Sequence, residues 1–172
     1  LEPRPKGARL PSMKVILAIV ATIFALVIAL VLAGVWWFID SRVYEETRTV
    51  VVPHVNDSAL RVTTKNGSIS VRQDSRADVE VVAKIRSNSK QRLAETEVVA
   101  ERTRSQTLGI RISWPGGIRK QREGCSFEIK VPSGSSGVTL TASNGNLTLE
   151  GLAGDAKLTT SNGYVVISGH DG

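Results

Sequence analysis

Few residues in this sequence have the types and spacing that chemistry needs. Cys125 is the only cysteine, so the chain holds no internal disulfide, and a lone thiol heading an apolar-alternating segment reads first as a small buried hydrophobe. An intermolecular disulfide is its other use. The two histidines, His54 and His170, lie far apart, one in a linker beside Pro53 and one in a Gly-rich turn. No metal-ligand spacing, G-x-S-x-G elbow or phosphate-binding glycine loop occurs. Three carboxylates remain of interest. Glu128, Glu150 and Asp155, if they converged at about 5–10 Å in a cleft, would be the pair that glycoside hydrolysis uses; on alternating strands they read as solvated surface groups. The sequence assigns no catalytic residue, no metal ligand and no cofactor.

Stepping from chemistry to scaffold, the strongest signal is repetition. Leu140-Thr141-Ala142-Ser143-Asn144-Gly145 returns 18 residues later as Leu158-Thr159-Thr160-Ser161-Asn162-Gly163. Gly151 and Gly154 return as Gly169 and Gly172. A third copy, Val62-Thr63-Thr64-Lys65-Asn66-Gly67-Ser68-Ile69-Ser70-Val71, lies upstream. Asn-Gly favours the positive φ of a tight corner, and the flanking alternation suits half-buried strands. Asn66-Gly67, Asn144-Gly145 and Asn162-Gly163 are therefore expected as structural corners. Leu140, Ala142, Leu147 and Leu149 should face inward, followed by Leu158, Thr160, Val165 and Ile167, with Thr141 and Thr159 on the opposite face. Two architectures fit: a solenoid with one coil per repeat, favoured by the short regular period, or an antiparallel meander or sandwich of hairpins.

Between the copies, Val79 to Ile85, Leu108 to Ile112 and Phe127 to Val131 alternate as strands do. Ser89 to Ala100 holds one or two helical turns before another extended segment. Trp114 to Gly117 is a turn, and Pro132 to Gly137 is a loop. The fold class expected is all-β, a repeat-containing domain over 58–172 after a single helix.

That helix comes from Val15 to Ile39, which carries no charge; at about 1.5 Å per residue it covers a bilayer core of roughly 30 Å. It exceeds the apolar region of a cleaved signal peptide and lacks a small-residue cleavage site before Trp36-Trp37-Phe38, so it reads as an uncleaved anchor. Trp36 and Trp37 suit the headgroup interface. Arg4, Lys6, Arg9 and Lys14 precede the span, whereas Arg42 and Arg48 beyond it are interspersed with acids, so 1–14 is expected to be cytoplasmic and the β domain extracytoplasmic. Met13 is a candidate translation start. Residues 40–57 read as a linker.

The formal charge of +6 divides evenly, with four basic residues against one acidic before the span and eighteen against fifteen after it. Clusters at Arg102 to Arg104 and Arg119 to Arg122, beside Glu101 and Glu123 and without interleaved aromatics, read as a solvated face rather than a nucleic-acid footprint. The partners expected are membrane lipid through 15–39 and an envelope protein or polysaccharide, with no nucleic acid.

The succession of T-x-N-G-x-I-x-V at 64–71, a charged insert, Phe127-Glu128-Ile129-Lys130-Val131-Pro132-Ser133-Gly134 and then serial S-N-G repeats resembles the bacterial putative-adhesin family of β-strand-repeat proteins, over roughly Ser58 to Gly172. The resemblance implies a β-repeat domain tethered to the cell envelope and supplies no site residues. The chain stops where another repeat would begin, so a C-terminal truncation is expected. Two functions follow: a noncatalytic surface protein for adhesion, scaffolding or envelope sensing, or a solenoid that binds or cleaves polysaccharide.

Overall fold

A computed structural model of the chain describes residues 13–40 and 42–171, with side chains described throughout these except at 15, 19 and 36–40. Residues 1–12 of the expected cytoplasmic segment, and Gly172 of the glycine pattern, lie outside the described residues. The chain forms two compact units, 1–42 and 43–172.

The first unit is helix α1, Met13–Asp40. Its stretch Ile16–Val35 is long and apolar enough to cross a membrane. Leu17, Phe24, Leu26 and Leu30 are exposed along it. Trp36 and Trp37 fall in its last turns, and their side chains lie outside the description.

The second unit is all-β apart from one short helix and a 3₁₀ turn. Its strands are β1 Tyr44–Pro53, β2 Ser58–Asn66, β3 Ile69–Gln73, β4 Asp78–Ser87, β5 Glu97–Arg102, β6 Leu108–Ser113, β7 Gly124–Val131, β8 Ser135–Asn144, β9 Leu147–Glu150, β10 Asp155–Asn162 and β11 Val165–Ser168. Helix α2, Lys90–Glu95, starts on a Ser89 side chain that accepts the Arg92 N–H, a short form of the N-cap.

The strands make two mixed sheets. One has the order β1-β4-β7-β3-β9-β11, the other β10-β8-β2-β6-β5. β1-β4, β4-β7 and β5-β6 are antiparallel, and the remaining pairs are parallel. The alternating inward residues of the two sheets form one core, in the manner of a sandwich. Val81, Ile85, Ile129, Ile69, Val71, Leu147 and Leu149 come from the first sheet, and Val62, Ile110 and Leu140 from the second; none is more than 1% exposed.

The Asn-Gly corners do not close hairpins. Each passes the chain from the second sheet to the first: β2 to β3, β8 to β9, β10 to β11. Successive copies then pair in parallel, with Leu140 beside Leu158, Asn144 beside Asn162 and Leu147 beside Val165. The antiparallel meander is thereby corrected, because the arms of each corner belong to different sheets and do not pair with each other. The upstream copy stacks against the second, Asn66 beside Asn144 and Ile69 beside Leu147.

Three other expectations are corrected. Residues 40–57 are not a linker: β1 pairs with β4 from Tyr44↔Ser87 to Pro53↔Asp78. Its β-branched run Thr47, Thr49, Val50, Val51 and Val52 suits a strand, with Val50 and Val52 packed on the core. Arg48 ties the strand to α2 by donating to the carbonyls of Thr96 and of Leu93, the latter at 2.8 Å. Lys90 lies 5.2 Å above the Tyr44 ring. The expected loop from Pro132 shortens, since Ser135 already belongs to β8. Val165 and Ile167, placed inward by the repeat, are 43% and 49% exposed, because β10 and β11 are edge strands with no further strand beside them in these sheets.

Candidate functional site: the corner column and the outer face

The corners form a column. Asn162 Nδ2 donates to Asn144 Oδ1 at 2.8 Å, Asn144 Nδ2 to Asn66 Oδ1 at 2.8 Å, and Asn66 Nδ2 to the Glu123 carbonyl at 3.2 Å. The backbone follows the same path, with Gly145 N–H donating to Asn162 O and Gly67 N–H to Asn144 O, both at 2.9 Å. Parallel stacking at strand spacing brings identical side chains together, and an amide is both donor and acceptor, so each asparagine bonds the next.

Close approach dictates the glycines. A Cβ on Gly67 would overlap the Cys125 carbonyl, one on Gly145 the Gly67 carbonyl, and one on Gly163 the Gly145 carbonyl. Gly67 and Gly145 have φ of 139° and 154°. Gly163 does not share that positive φ, a correction to the expected corner geometry: the corner needs the missing side chain there, not the backbone angle.

Beneath the column sits a group that reads from sequence as solvated. Glu123 is fully buried. Arg92 grips it with Nε to Oε1 at 2.6 Å and Nη2 to Oε2 at 3.0 Å, the Lys120 N–H donates to Oε2 at 2.6 Å, and Ser87 Oγ to Oε1 at 3.2 Å. Burial pushes the carboxyl up, and the hydrogen bonds from Arg92 and Lys120 outweigh it, leaving Glu123 below the ordinary carboxylate range. Arg119 donates to the carbonyls of Lys120 at 3.2 Å and Glu123 at 3.0 Å. Four donors surrounding one carboxylate make a structural lock between α2 and the segment entering β7. Its sequence signal, a lone acid after a basic run, is one that any solvated loop also gives.

Cys125 is 1% exposed at the head of β7, and burial pushes its thiol up to about 12. The carboxylates do not converge. Glu128 and Glu150 stand on β7 and β9 with β3 between them, and Asp155 is on the other sheet. His170 Nδ1 lies 2.6 Å from the Leu152 carbonyl, and His54 is half-buried at the end of β1. Among the described residues no three His, Cys, Asp or Glu side chains are grouped to hold a metal ion.

The repeats build an outer face on each sheet, and the threonine rows lie on that of the second. Register places Thr159, Thr141, Thr63 and Arg111 in one row, with Lys157, Thr139, Arg61 and Gly109 in the next. It is a Thr-rich face carrying cations.

No family model and no curated protein matches the chain. Among solved structures, it is similar to a putative cell adhesion protein from Clostridium sporogenes at 9% identity and a TM-score of 0.43, covering 74% of this chain and 99% of that one. It is also similar to a putative adhesin from Bacteroides fragilis at 19% identity and 0.43, covering 72% and 53%, and to one from Parabacteroides merdae at 13% and 0.37, covering 67% and 44%. These neighbours are named as adhesion proteins. At such scores the likeness assigns no activity to this chain.

Proposed function

We propose that this is a noncatalytic surface protein, held in a membrane by residues 15–39, whose β domain presents a Thr-rich outer face for adhesion, scaffolding or envelope sensing. The finer architecture belongs to the same reading: the three Asn-Gly units are coils of a β-solenoid, closed on one side by the antiparallel strands β1, β4 and β5. The observation that carries the proposal is the parallel register at 18 residues, Asn144↔Asn162 and Leu147↔Val165. A register of that kind repeats one short polar row per coil and builds an extended contact surface. Outward threonines hydrogen-bond a partner without the side-chain entropy cost of long residues.

The test is photo-crosslinking in intact cells from a probe at Thr141, on the outer face, and from one at Thr148, on the outer face of the other sheet. Capture of an envelope protein or glycan from Thr141 in preference to Thr148 is the expected outcome. Equal labelling from both positions would remove the assignment of the face.

A further inference from the structure

A cavity of about 370 Å³ opens on that outer face where β2 and β6 end, a size that accommodates a sugar unit. Its walls include Thr63, Lys65, Arg111, Ser113, Trp114 and Arg119. Three of these are cations and none is an acid. The sheet brings them together: Thr63 and Arg111 are register partners on β2 and β6, with Lys65 and Ser113 two residues further along each strand. The 3₁₀ turn Pro115–Gly117 folds the chain back so that Arg119 closes the far side. Gly116 and Gly117 make that reversal with φ of 67° and 71°.

Among the described residues, the one ion pair that these three cations make is a loose one. The nearest acid to Arg111 is Glu101 at 3.9 Å, with both side chains more than half exposed, which is a loose surface contact. Arg119 directs Nη1 to two carbonyls, while its buried Nε has no protein hydrogen-bond partner among the described residues. The hydroxyl residues Thr63, Thr64 and Ser113, with Ile112, the buried Trp114 and Gly117, make up the rest of the lining.

We propose that this cavity binds the oxyanion of an acidic sugar, a uronate carboxylate or a sulfate ester, with Lys65, Arg111 and Arg119 around the charge and Thr63 and Ser113 on the sugar hydroxyls. A planar guanidinium meets an oxyanion through two parallel N–H donors, and lysine adds a point charge. A nucleic acid needs a basic stripe with stacking aromatics; here the cations surround one concavity and Trp114 is only 8% exposed. The assignment deepens the surface-protein reading by naming a ligand class, and its test is read on purified protein, so that failure of anchoring or topology leaves the binding result intact.

The full chain in neutral detergent is titrated with polygalacturonate, dextran sulfate and neutral dextran. Saturable binding to either charged polymer and none to neutral dextran is expected, the tighter of the two identifying the oxyanion. The double variant Lys65→Gln/Arg111→Gln weakens binding about tenfold or more. Arg72→Gln/Lys84→Gln, an equal charge change at exposed positions of the first sheet, changes it less than about twofold. Thr63→Val, which keeps the charge, weakens binding about threefold. Failure of the wild-type chain to bind either charged polymer, equal loss in the two double variants, or a DNA duplex that competes as well as either polymer would each overturn the proposal.

Discussion

At the scale of the residue, Glu123 is the most consequential charge in the domain. It is buried with four donors on it, and removal of one member of such a group leaves the others uncompensated. Glu123→Ala should therefore cost about 3–5 kcal/mol in urea unfolding at neutral pH. Replacing both members, Arg92→Met with Glu123→Met, should cost less than either single change. Because the folded carboxyl lies below its ordinary value, its contribution is present above the unfolded pKa and is lost as pH falls through the folded one. The gap between wild type and Glu123→Gln should accordingly narrow in acid, and a gap that widens would contradict the assignment. The glycines set a second prediction at this scale. Gly145→Ala drives a Cβ into the Gly67 carbonyl in the middle of the stack, where overpacking costs about 3 kcal/mol. Gly163→Ala makes the same collision at the edge coil, where β10 and β11 can fray instead, so the global melting midpoint should move less and hydrogen exchange in those strands should rise.

At the scale of the element, the asparagine column gives a graded expectation. Asn144 bonds both its neighbours and Asn162 bonds one, so Asn144→Ala should destabilise by about twice as much as Asn162→Ala, on the order of 1 kcal/mol per exposed bond or less. Equal costs in denaturant unfolding would mean that the column adds nothing cooperative. The same elements mark what the sequence could carry. Period-two alternation located β4, β6, β7, β8 and β9 because one face of each is buried, and the 18-residue offset located the stacking of β10 and β11. The partner of the first copy was illegible. Asn66 and Asn144 are 78 residues apart, and no local pattern shows that the whole insert leaves and rejoins the stack between them. β1 was hidden for a different reason: its inward positions are only half-buried, so its polarity pattern matches that of an extended linker. The lock at Glu123 and the cavity at Arg111 depend on residues from separate strands and turns, which periodicity does not connect.

At the scale of the whole molecule, the proposed anchor would put the β domain on one side of a membrane, and thiol labelling tests both the span and the side. A thiol probe needs one reactive cysteine and no background. Cys125 meets the second condition, since it is 1% exposed and its thiol is pushed up to about 12, leaving a negligible thiolate fraction near neutral pH. Ser58, which the sequence places at the start of the domain, is 5% exposed and would report burial instead of topology. Ser105, exposed in the connection between β5 and β6, does not have that defect. Our proposal of an anchored protein, taken with the Lys and Arg that precede the helix, predicts an N-terminus on the inside. Ser105→Cys should then react with an impermeant maleimide in intact cells, and Ser12→Cys only after the membrane is permeabilised. In an envelope with an outer barrier, the same comparison is made on spheroplasts. Labelling of Ser12→Cys in intact cells with protection of Ser105→Cys would reverse the orientation, and labelling of both without permeabilisation would show that the apolar helix does not span.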